Sequence, residues 1–429
     1  MTSTVQSLAP DGPHSLKERE AGLVPAPVHG VWLVLLVGAL LIAQILDGMD
    51  LNALSFVGAA VRKDLVLTRA MFGACIGAAS LGTAAGAALF GAIGDRFGRR
   101  RTLLLVVLLF GCGALATSQV KNATELLIMR CLTGVALGGL LPISSALLLG
   151  NIAATARLTA VTIICAGSAG GTMLAGFVSS AVAPHFGWRT VFIVGGLAPL
   201  VIAPLLLLIV PSDRKAGSVI WSAERAPVGH GRADGAFLFR GGVWPLTLVL
   251  WAAMFIGAFP VFVSVGWLPS LAAAKGASLA QAAVSLSVFS IGGAIGGIVA
   301  GGLADRFGYR VILPMALAGA MATAMLGMSI GGSSTALIAG AAGFFVVGLL
   351  NLMGALVGKA YPDAIRGFAI GASLAVMRIG AAVAPWAAGK LLDLGGGARL
   401  LFILCAAAGI VSGLVFMIAA RLPRADNAL

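Results

Sequence analysis

Twelve long apolar stretches constrain the fold of this chain more than any other feature. Each holds at least 17 residues, and an α-helix of that length can cross the roughly 30 Å hydrocarbon core of a bilayer. Hydrophobic residues make up 59% of the chain and charged residues only 10%, whereas a soluble domain is about 25% charged. The sequence therefore predicts an all-α membrane protein with twelve transmembrane helices. The predicted spans cover residues 31–57, 70–94, 102–118, 124–150, 158–183, 189–210, 243–271, 281–304, 310–330, 334–358, 366–390 and 399–420.

The basic residues are distributed unevenly, and their placement predicts the orientation of the chain. The net charge is +13 at pH 7, which in a soluble protein would suggest a nucleic-acid partner. With the N-terminus in the cytoplasm, eighteen of the 28 Lys and Arg residues lie in cytoplasmic segments and eight in outer loops, while Arg130 and Arg378 lie inside spans. This bias follows the positive-inside rule. It predicts cytoplasmic N- and C-termini and no nucleic-acid partner.

The chain contains an internal repeat of about half its length. The segment "SLGTAAGAALFGAIGDRFGRR" (80–100) aligns without gaps to "SIGGAIGGIVAGGLADRFGYR" (290–310), with ten of 21 positions identical. The offset of 210 residues corresponds to six spans, and an even number of spans preserves orientation, so the halves are predicted to be parallel repeats like those of many secondary transporters. The predicted organisation is a cytoplasmic tail (1–28), a six-helix half (29–210), a cytoplasmic central loop (211–242), a second six-helix half (243–420) and a cytoplasmic tail (421–429).

The repeated "DRFG" segments fall at predicted cytoplasmic turns after spans 2 and 8. An acid at the end of one helix and arginines at the start of the next can pair across the inner mouth, and glycine permits the tight turn. A basic cluster that only anchors orientation is the alternative, but acids contribute little to the positive-inside rule, so it does not explain why the acids recur. The predicted cytoplasmic gate consists of Asp95, Arg96, Gly98, Arg100, Asp305, Arg306, Gly308 and Arg310.

Two carboxylates, Asp47 and Asp50, interrupt the first apolar stretch, although a charge at the bilayer centre costs roughly 2.5–3.5 kcal/mol or more. Residues three apart share a helix face, and Gly48 between them is expected to make the stretch pliable. Such a pair can bind and release protons jointly. Arg130 in span 4 is predicted at a depth similar to that of Asp47, so an ion pair between spans 1 and 4 is feasible. The three residues form either a proton-coupling site or a structural ion pair.

Arg378 is the other charge inside a span. It lies about 12 residues, or roughly 18 Å, into span 11, close to the membrane midplane, and no acid is near it in the sequence. An unpaired charge there is unfavourable, so its predicted partner is a ligand carboxylate, which the planar guanidinium can bind through two hydrogen bonds. Pairing with a span 1 acid across the two halves is the alternative.

Residues of spans 7 and 10 are further candidates for this site, although aromatic residues at helical spacing more often serve packing. Lys359, at the inner end of span 10, is predicted to extend to the membrane interface rather than to bind the ligand. The residues considered for an aromatic cavity are Asn351, Phe345, Trp251, Phe255 and Phe259, of which Asn351 and Phe255 are assigned to the substrate.

The duplicated loop resembles the signature of the major facilitator superfamily. Within it, "ILDGMDLNAL" in span 1, "RCLTGVALGGLLP" in span 4 and "YPDAIRGFAIGASLAVMRIGAAVAPWAAG" through span 11 are similar to motifs of the aromatic acid:proton symporter family. The resemblance covers essentially the whole chain. It implies the major facilitator fold, proton coupling at the span 1 acids and an association of Arg378 with an acidic substrate. After span 4 the chain departs from the family, since Gly150 and Asn151 stand where a glutamate is usual.

Together these features predict a proton-coupled symporter that imports a small aromatic carboxylate, benzoate-like or hydroxybenzoate-like, across a bacterial inner membrane. A proton-driven exporter of lipophilic or drug-like compounds is the alternative; a non-transporting receptor or channel fits the repeat less well. The sequence shows no nucleophile, metal-ligand or cofactor constellation, which argues against an enzyme. It also lacks a G-x-x-x-x-G-K-[ST] loop, so the proton gradient is the expected energy source. The expected partners are the aromatic acid, protons and the lipid bilayer, and the expected state is a monomer.

Overall fold

The computed structural model describes residues 30–151, 157–211, 238, 243–330, 334–419 and 421–422. These residues form thirteen α-helices and no β-strand. The predicted N-terminal tail and most of the central loop and C-terminal tail lie outside the described residues. The helices are α1 (Val31–Asp64), α2 (Arg69–Phe97), α3 (Arg99–Thr117), α4 (Ala123–Gly138), α5 (Leu140–Asn151), α6 (Arg157–Phe186), α7 (Trp188–Ile209), α8 (Trp244–Ala274), α9 (Leu279–Phe307), α10 (Ile312–Ser329), α11 (Thr335–Val357), α12 (Asp363–Asp393) and α13 (Ala398–Ala419).

Each of the twelve predicted spans falls on described helix. Eleven continuous stretches are long and apolar enough to cross a membrane, and one of them, Leu279–Ser329, has 51 residues. A helix of that length would measure about 77 Å, more than twice the thickness of a bilayer core. The 3-10 turn Gly308–Val311 divides it into α9 and α10, while α4 and α5 together form span 4. The predicted all-α fold class is confirmed for the described part of the chain.

The two halves pack their helices through equivalent glycines. A Cβ on Gly86 of α2 would overlap the carbonyl oxygen of Val135 in α4, and a Cβ on Gly296 of α9 would overlap that of Phe344 in α11. The glycines are 210 residues apart and their partners 209. Because lipid gives helices no hydrophobic drive to associate, close backbone approach supplies van der Waals contact instead. The small residues of the repeat therefore build the same helix contact in each half.

The halves meet at the end of the bundle that contains the C-terminus of α1 and the N-terminus of α2, which we call the closed end. A Cβ on Gly77 of α2 would overlap the backbone of Ala382 in α12. Ser270 Oγ of α8 donates to the carbonyl of Ser55 in α1 at 3.1 Å. Residues 52–58 of α1 are all buried at this end. Among the described residues, the glycines that approach the other half all lie here.

The opposite end, which we call the open end, carries both DRFG turns. Gly98 and Gly308 end α2 and α9 with φ angles of 97° and 60°, a region of backbone conformation that side chains other than glycine rarely adopt. This explains why glycine recurs at the turn. Val31 and Trp32, in the first turn of α1, are exposed at this end.

Candidate functional site

A buried ion pair joins α1 to α4. Arg130 Nη1 donates to Asp50 Oδ2 at 2.9 Å, and Arg130 Nη2 donates to the backbone carbonyl of Asp50 at 3.2 Å. Both side chains are only 1% exposed. Asp50 Oδ1 and Arg130 Nε have no hydrogen-bond partner among the described residues. The guanidinium therefore makes one charge-assisted hydrogen bond to the carboxylate and one hydrogen bond to the backbone carbonyl. It does not bind the carboxylate bidentately, although its geometry would allow this.

The predicted contact between spans 1 and 4 is thus present, but Asp50 makes it rather than Asp47. The similar depth predicted for Asp47 and Arg130 rests on a span 1 that ends at residue 57, whereas α1 extends to Asp64. Measured from the closed end, where α4 begins, Asp50 is one helical turn nearer to Arg130 than Asp47 is.

Asp47 faces the other half of the molecule. It interacts electrostatically with Arg378 of α12 and with Asp50. Arg378 is fifteen residues from each end of α12, which agrees with its predicted midplane depth. No ion pair within 4.0 Å joins Asp47 to Arg378 in the described structure. Both side chains are only partly buried, and the acid that faces Arg378 is one of span 1.

The four intramembrane charges form a row that crosses from α12 to α4. In order, they are Arg378, Asp47, Asp50 and Arg130, so that each acid neighbours one arginine. The row is neutral when all four are ionised, which lowers the cost of keeping charges inside a membrane. The N-terminal half supplies three of these charges and the C-terminal half only Arg378. The pair Asp50–Arg130 is fully buried, whereas Asp47 and Arg378 are only partly buried.

Close packing of α1 against α6 sets the direction of the two acids. A Cβ on Gly48 would overlap the backbone of Ser168 in α6. Asn52 Nδ2 donates to the carbonyl of Gly48 at 2.7 Å and to Thr172 Oγ1 at 3.0 Å. Gly48 therefore lies within a continuous helix and allows the two backbones to approach; the expected pliability of this stretch stays a prediction.

Phe255 of α8 lies beside the segment that carries Arg378. Gly380, two residues after Arg378, packs against the backbone of Phe255. The rings of Phe255 and Phe259 form a tilted pair with centroids 5.5 Å apart, and both are partly buried. The structure therefore brings an aromatic pair close to the guanidinium-bearing turn of α12.

The candidates on α11 are arranged differently. Phe345 is partly buried, contacts Gly319 of α10 and packs against the core of the C-terminal half. These contacts favour a packing role, and its place in a cavity lining stays a prediction. Trp251 of α8 packs against the same core. Asn351 is exposed and approaches Gly297 of α9. Its assignment to the substrate stays a prediction.

The DRFG turns do not show the expected pairing of acids with arginines. Asp95 is exposed and has no ion-pair partner among the described residues. Asp305 pairs with Lys359 at 3.3 Å, and both are exposed. An exposed carboxylate stays hydrated at little cost, so nothing forces it to pair. Arg96 lies over the Phe97 ring and Arg306 over the Phe307 ring. Arg100 donates a hydrogen bond to the carbonyl of Leu207, and Arg310 is exposed. The gate role of these turns stays a prediction.

Sequence reasoning missed two features, one beside the site and one at the closed end. Gln44 is 2% exposed, three residues before Asp47, and its Nε2 has no hydrogen-bond partner in the described structure. A polar residue within an apolar stretch, on the helix face that leads to Asp47, is a signal that could have found it. The other is the carboxylate of Asp393, which binds the N-terminus of α2 in the opposite half. No group of three or more metal-binding side chains occurs in the described ranges.

Comparison with known proteins agrees with this architecture. A model of the Major Facilitator Superfamily matches residues 40–350 and 250–428. The gallate transporter of Pseudomonas putida is 32% identical over 397 residues, covering 87% of this chain and 88% of that protein. The 4-hydroxybenzoate transporter PcaK of Pseudomonas aeruginosa is 32% identical over 391 residues, covering 85% and 87%. Among solved structures, the nucleoside transporter NupG superposes with a TM-score of 0.74 at 14% identity, covering 92% of this chain and 100% of that one. The D-xylose–proton symporter does so with a TM-score of 0.71 at 19% identity, covering 92% and 99%.

A bundle of twelve apolar spans, duplicated in sequence and in its glycine contacts, with charges at its centre, defines a secondary transporter. The chain belongs to the major facilitator superfamily. Its relatives and its structural neighbours are transporters and not enzymes.

Proposed function

We propose that this protein imports a small aromatic carboxylate, of the benzoate or hydroxybenzoate kind, together with protons, by alternating access. The relatives named for gallate and 4-hydroxybenzoate support the substrate class. The observation that carries the coupling is that Asp47 faces Arg378 across the two halves, with both side chains partly buried. The excess of Lys and Arg at the open end supports a cytoplasmic orientation of that end in a bacterial inner membrane. One chain supplies both sides of the site, which supports a monomer.

In this proposal Arg378 binds the substrate carboxylate. Its guanidinium can form two parallel hydrogen bonds with the two oxygens, a geometry that a lysine ammonium cannot reproduce. The aromatic pair Phe255 and Phe259 on the adjacent turn of α8 offers a surface on which the substrate ring can pack. Asp47 lies near Arg378 without forming a close ion pair, so the substrate carboxylate can bind the guanidinium in its place.

Neutrality of the charge row couples that anion to a proton. The substrate carboxylate adds one negative charge to a row that is otherwise neutral, in a region of low dielectric where an uncompensated charge is costly. Protonation of Asp47 removes one negative charge and restores neutrality. One proton then accompanies each carboxylate, and the transport step carries no net charge. Asp50 stays paired with Arg130 and holds α1 against α4.

The role of Arg378 is tested by equilibrium binding of 4-hydroxybenzoate, benzoate and gallate to the purified protein in detergent at a fixed pH. Loss of a hydrogen-bonded charge contact is worth about 1.5–3 kcal/mol, so Arg378→Ala and Arg378→Lys should both weaken binding by roughly 10- to 150-fold. Lys390→Ala, which removes an exposed cation from the same helix, is the matched control and should bind normally. Unchanged affinity in Arg378→Ala would exclude the proposed contact.

The role of Asp47 is tested in proteoliposomes with the best-binding acid. A pH gradient should drive uptake by the wild-type protein, and a membrane potential imposed with potassium and valinomycin should change the rate little. Asp47→Asn should lose gradient-driven accumulation but retain exchange of labelled for unlabelled acid. Strong dependence on the potential, or normal accumulation by Asp47→Asn, would contradict coupling through a neutral row.

A further inference from the structure

The N-termini of α2 and α9 occupy equivalent places in the repeat, but their amide groups are satisfied in different ways. The first amides of a helix have no partner within the helix and need one from elsewhere. In α9 the partner is local, since Ser278 Oγ accepts from the amide of Gln281 at 3.1 Å and Gln281 Oε1 accepts from the amide of Ser278 at 2.9 Å. This capping box makes the start of α9 independent of the other half.

The start of α2 depends on the other half. Thr68 Oγ1 accepts from the amide of Met71 at 3.1 Å, but Met71 stands where α9 has Gln281 and cannot close a capping box. The free amides of Arg69 and Ala70 donate instead to Asp393 of α12, at 3.0 Å to Oδ1 and 2.8 Å to Oδ2. The Arg69 guanidinium donates to the carbonyl of Leu392 at 2.7 Å. One carboxylate from the C-terminal half therefore caps a helix of the N-terminal half.

We propose that Asp393 is the latch of the outer gate: its carboxylate holds the closed end shut by capping α2 in trans, and it must release before that end can open. The two halves have to separate at the closed end in every cycle of alternating access, and this contact joins them there. The proposal rests on the transporter class of the chain and does not depend on which substrate it carries.

Three properties of the contact suit an interaction that breaks and re-forms in each transport cycle. Asp393 and Arg69 are exposed, so water can take over their hydrogen bonds when the halves part. A negative charge at a helix N-terminus is favourable, but the effect is modest at an exposed site and is weakened by salt. The contact also forms close beside Gly389, on which a Cβ would overlap the backbone of Arg69, so that small movements of α12 make or break it.

Distances between spin labels at the closed end test the proposal without substrate. Labels on cysteines introduced at Lys121 and Lys275, which are exposed near the closed end of opposite halves, report its opening by double electron–electron resonance. The background replaces the five native cysteines and is accepted if its midpoint of thermal unfolding in detergent matches that of the wild-type protein. Asp393→Asn and Asp393→Ala are compared with Asp64→Asn, which breaks an exposed carboxylate contact with Arg189 within the N-terminal half only.

Asp393→Ala removes the cap, and Asp393→Asn removes its charge and one of its two acceptor oxygens. The ratio of the long-distance to the short-distance population should rise by about two- to fivefold in Asp393→Ala and by less in Asp393→Asn. The midpoint of thermal unfolding in detergent should change little, because the helix amides become hydrated when the halves separate. Asp64→Asn should leave the distance distribution unchanged. The proposal is overturned if the Asp393 variants keep the wild-type distribution, or if Asp64→Asn shifts it equally. Failure of aromatic acids to bind would leave this result unaffected, so the two proposals can fail separately.

Discussion

The N-terminal and C-terminal halves can be compared residue by residue, because equivalent glycines make equivalent contacts. Gly86 meets Val135 in the first half and Gly296 meets Phe344 in the second, at offsets of 210 and 209 residues. The same offsets place Ala339, fully buried, at the position of Arg130. The helix contact is therefore repeated in both halves, but the buried cation is not.

The two acids and the second arginine are likewise absent from the equivalent positions of the other half. At an offset of 210, the positions of Asp47 and Asp50 are occupied by Gly257 and Pro260 in α8. At an offset of 209, Arg378 corresponds to Ala169 in α6. Duplicated sequence thus conserves the small residues that let helices approach, whereas the charged residues have diverged between the halves. One half carries both acids, and the other contributes the arginine that faces them.

The largest effect that distinguishes the halves should come from Arg130→Ala. This change strands Asp50 in a fully buried position, and breaking a buried pair by removing one partner costs about 3–5 kcal/mol. We expect a large drop in the midpoint of thermal unfolding in detergent and poor accumulation in the membrane. Arg378→Ala should be far milder, because its side chain and that of Asp47 are partly exposed.

The double variant Asp50→Asn with Arg130→Ala separates a stranded charge from lost packing. It should be more stable than Arg130→Ala alone, because no unpaired carboxylate remains. Equal stability of the single and double variants would show that the pair contributes through packing only.

Substitution of the equivalent glycines should instead affect both halves alike. Gly86→Ala and Gly296→Ala each place a methyl group onto a backbone carbonyl, and overpacking of this kind costs about 1–3 kcal/mol. The matched controls are Gly91→Ala and Gly301→Ala, also 210 residues apart, where a Cβ meets nothing within 4 Å. The controls should unfold at or above the wild-type midpoint, since alanine favours a helix over glycine. A large loss from one glycine and none from its equivalent would break the comparison.

The smallest effects on stability should come from the DRFG turns, where the halves differ by one exposed ion pair. Asp305 and Lys359 are 80% and 58% exposed, so Lys359→Gln should change the free energy of unfolding by less than about 1 kcal/mol.

Asp95→Asn should leave the unfolding midpoint unchanged and lower uptake, because Asp95 can find a partner only when the open end closes. Full uptake by Asp95→Asn would return this turn to a role in membrane orientation.

Much of the candidate site could be anticipated from single residues. Asp47, Asp50, Arg130 and Arg378 stand out because charges are rare and expensive in apolar stretches. The pairing among them could not be anticipated, because depth estimates depend on where each helix ends, and α1 is longer than its apolar stretch. The contacts of Phe345 could not be anticipated either: its sequence position allows either face of α11, and only the structure shows that it contacts Gly319 of α10.

The sequence by itself determined the twelve spans, the duplication and the identity of the intramembrane charges, because hydropathy, repetition and composition are properties of short segments. The tertiary structure alone decided that Asp50 binds Arg130, that Asp47 faces Arg378, and that Asp393 caps α2. The residues concerned lie 80, 331 and 323 or 324 positions apart in the sequence. Their partners are selected by the lengths of the helices and by how closely small residues allow the backbones to approach, and neither is encoded near the residues that meet.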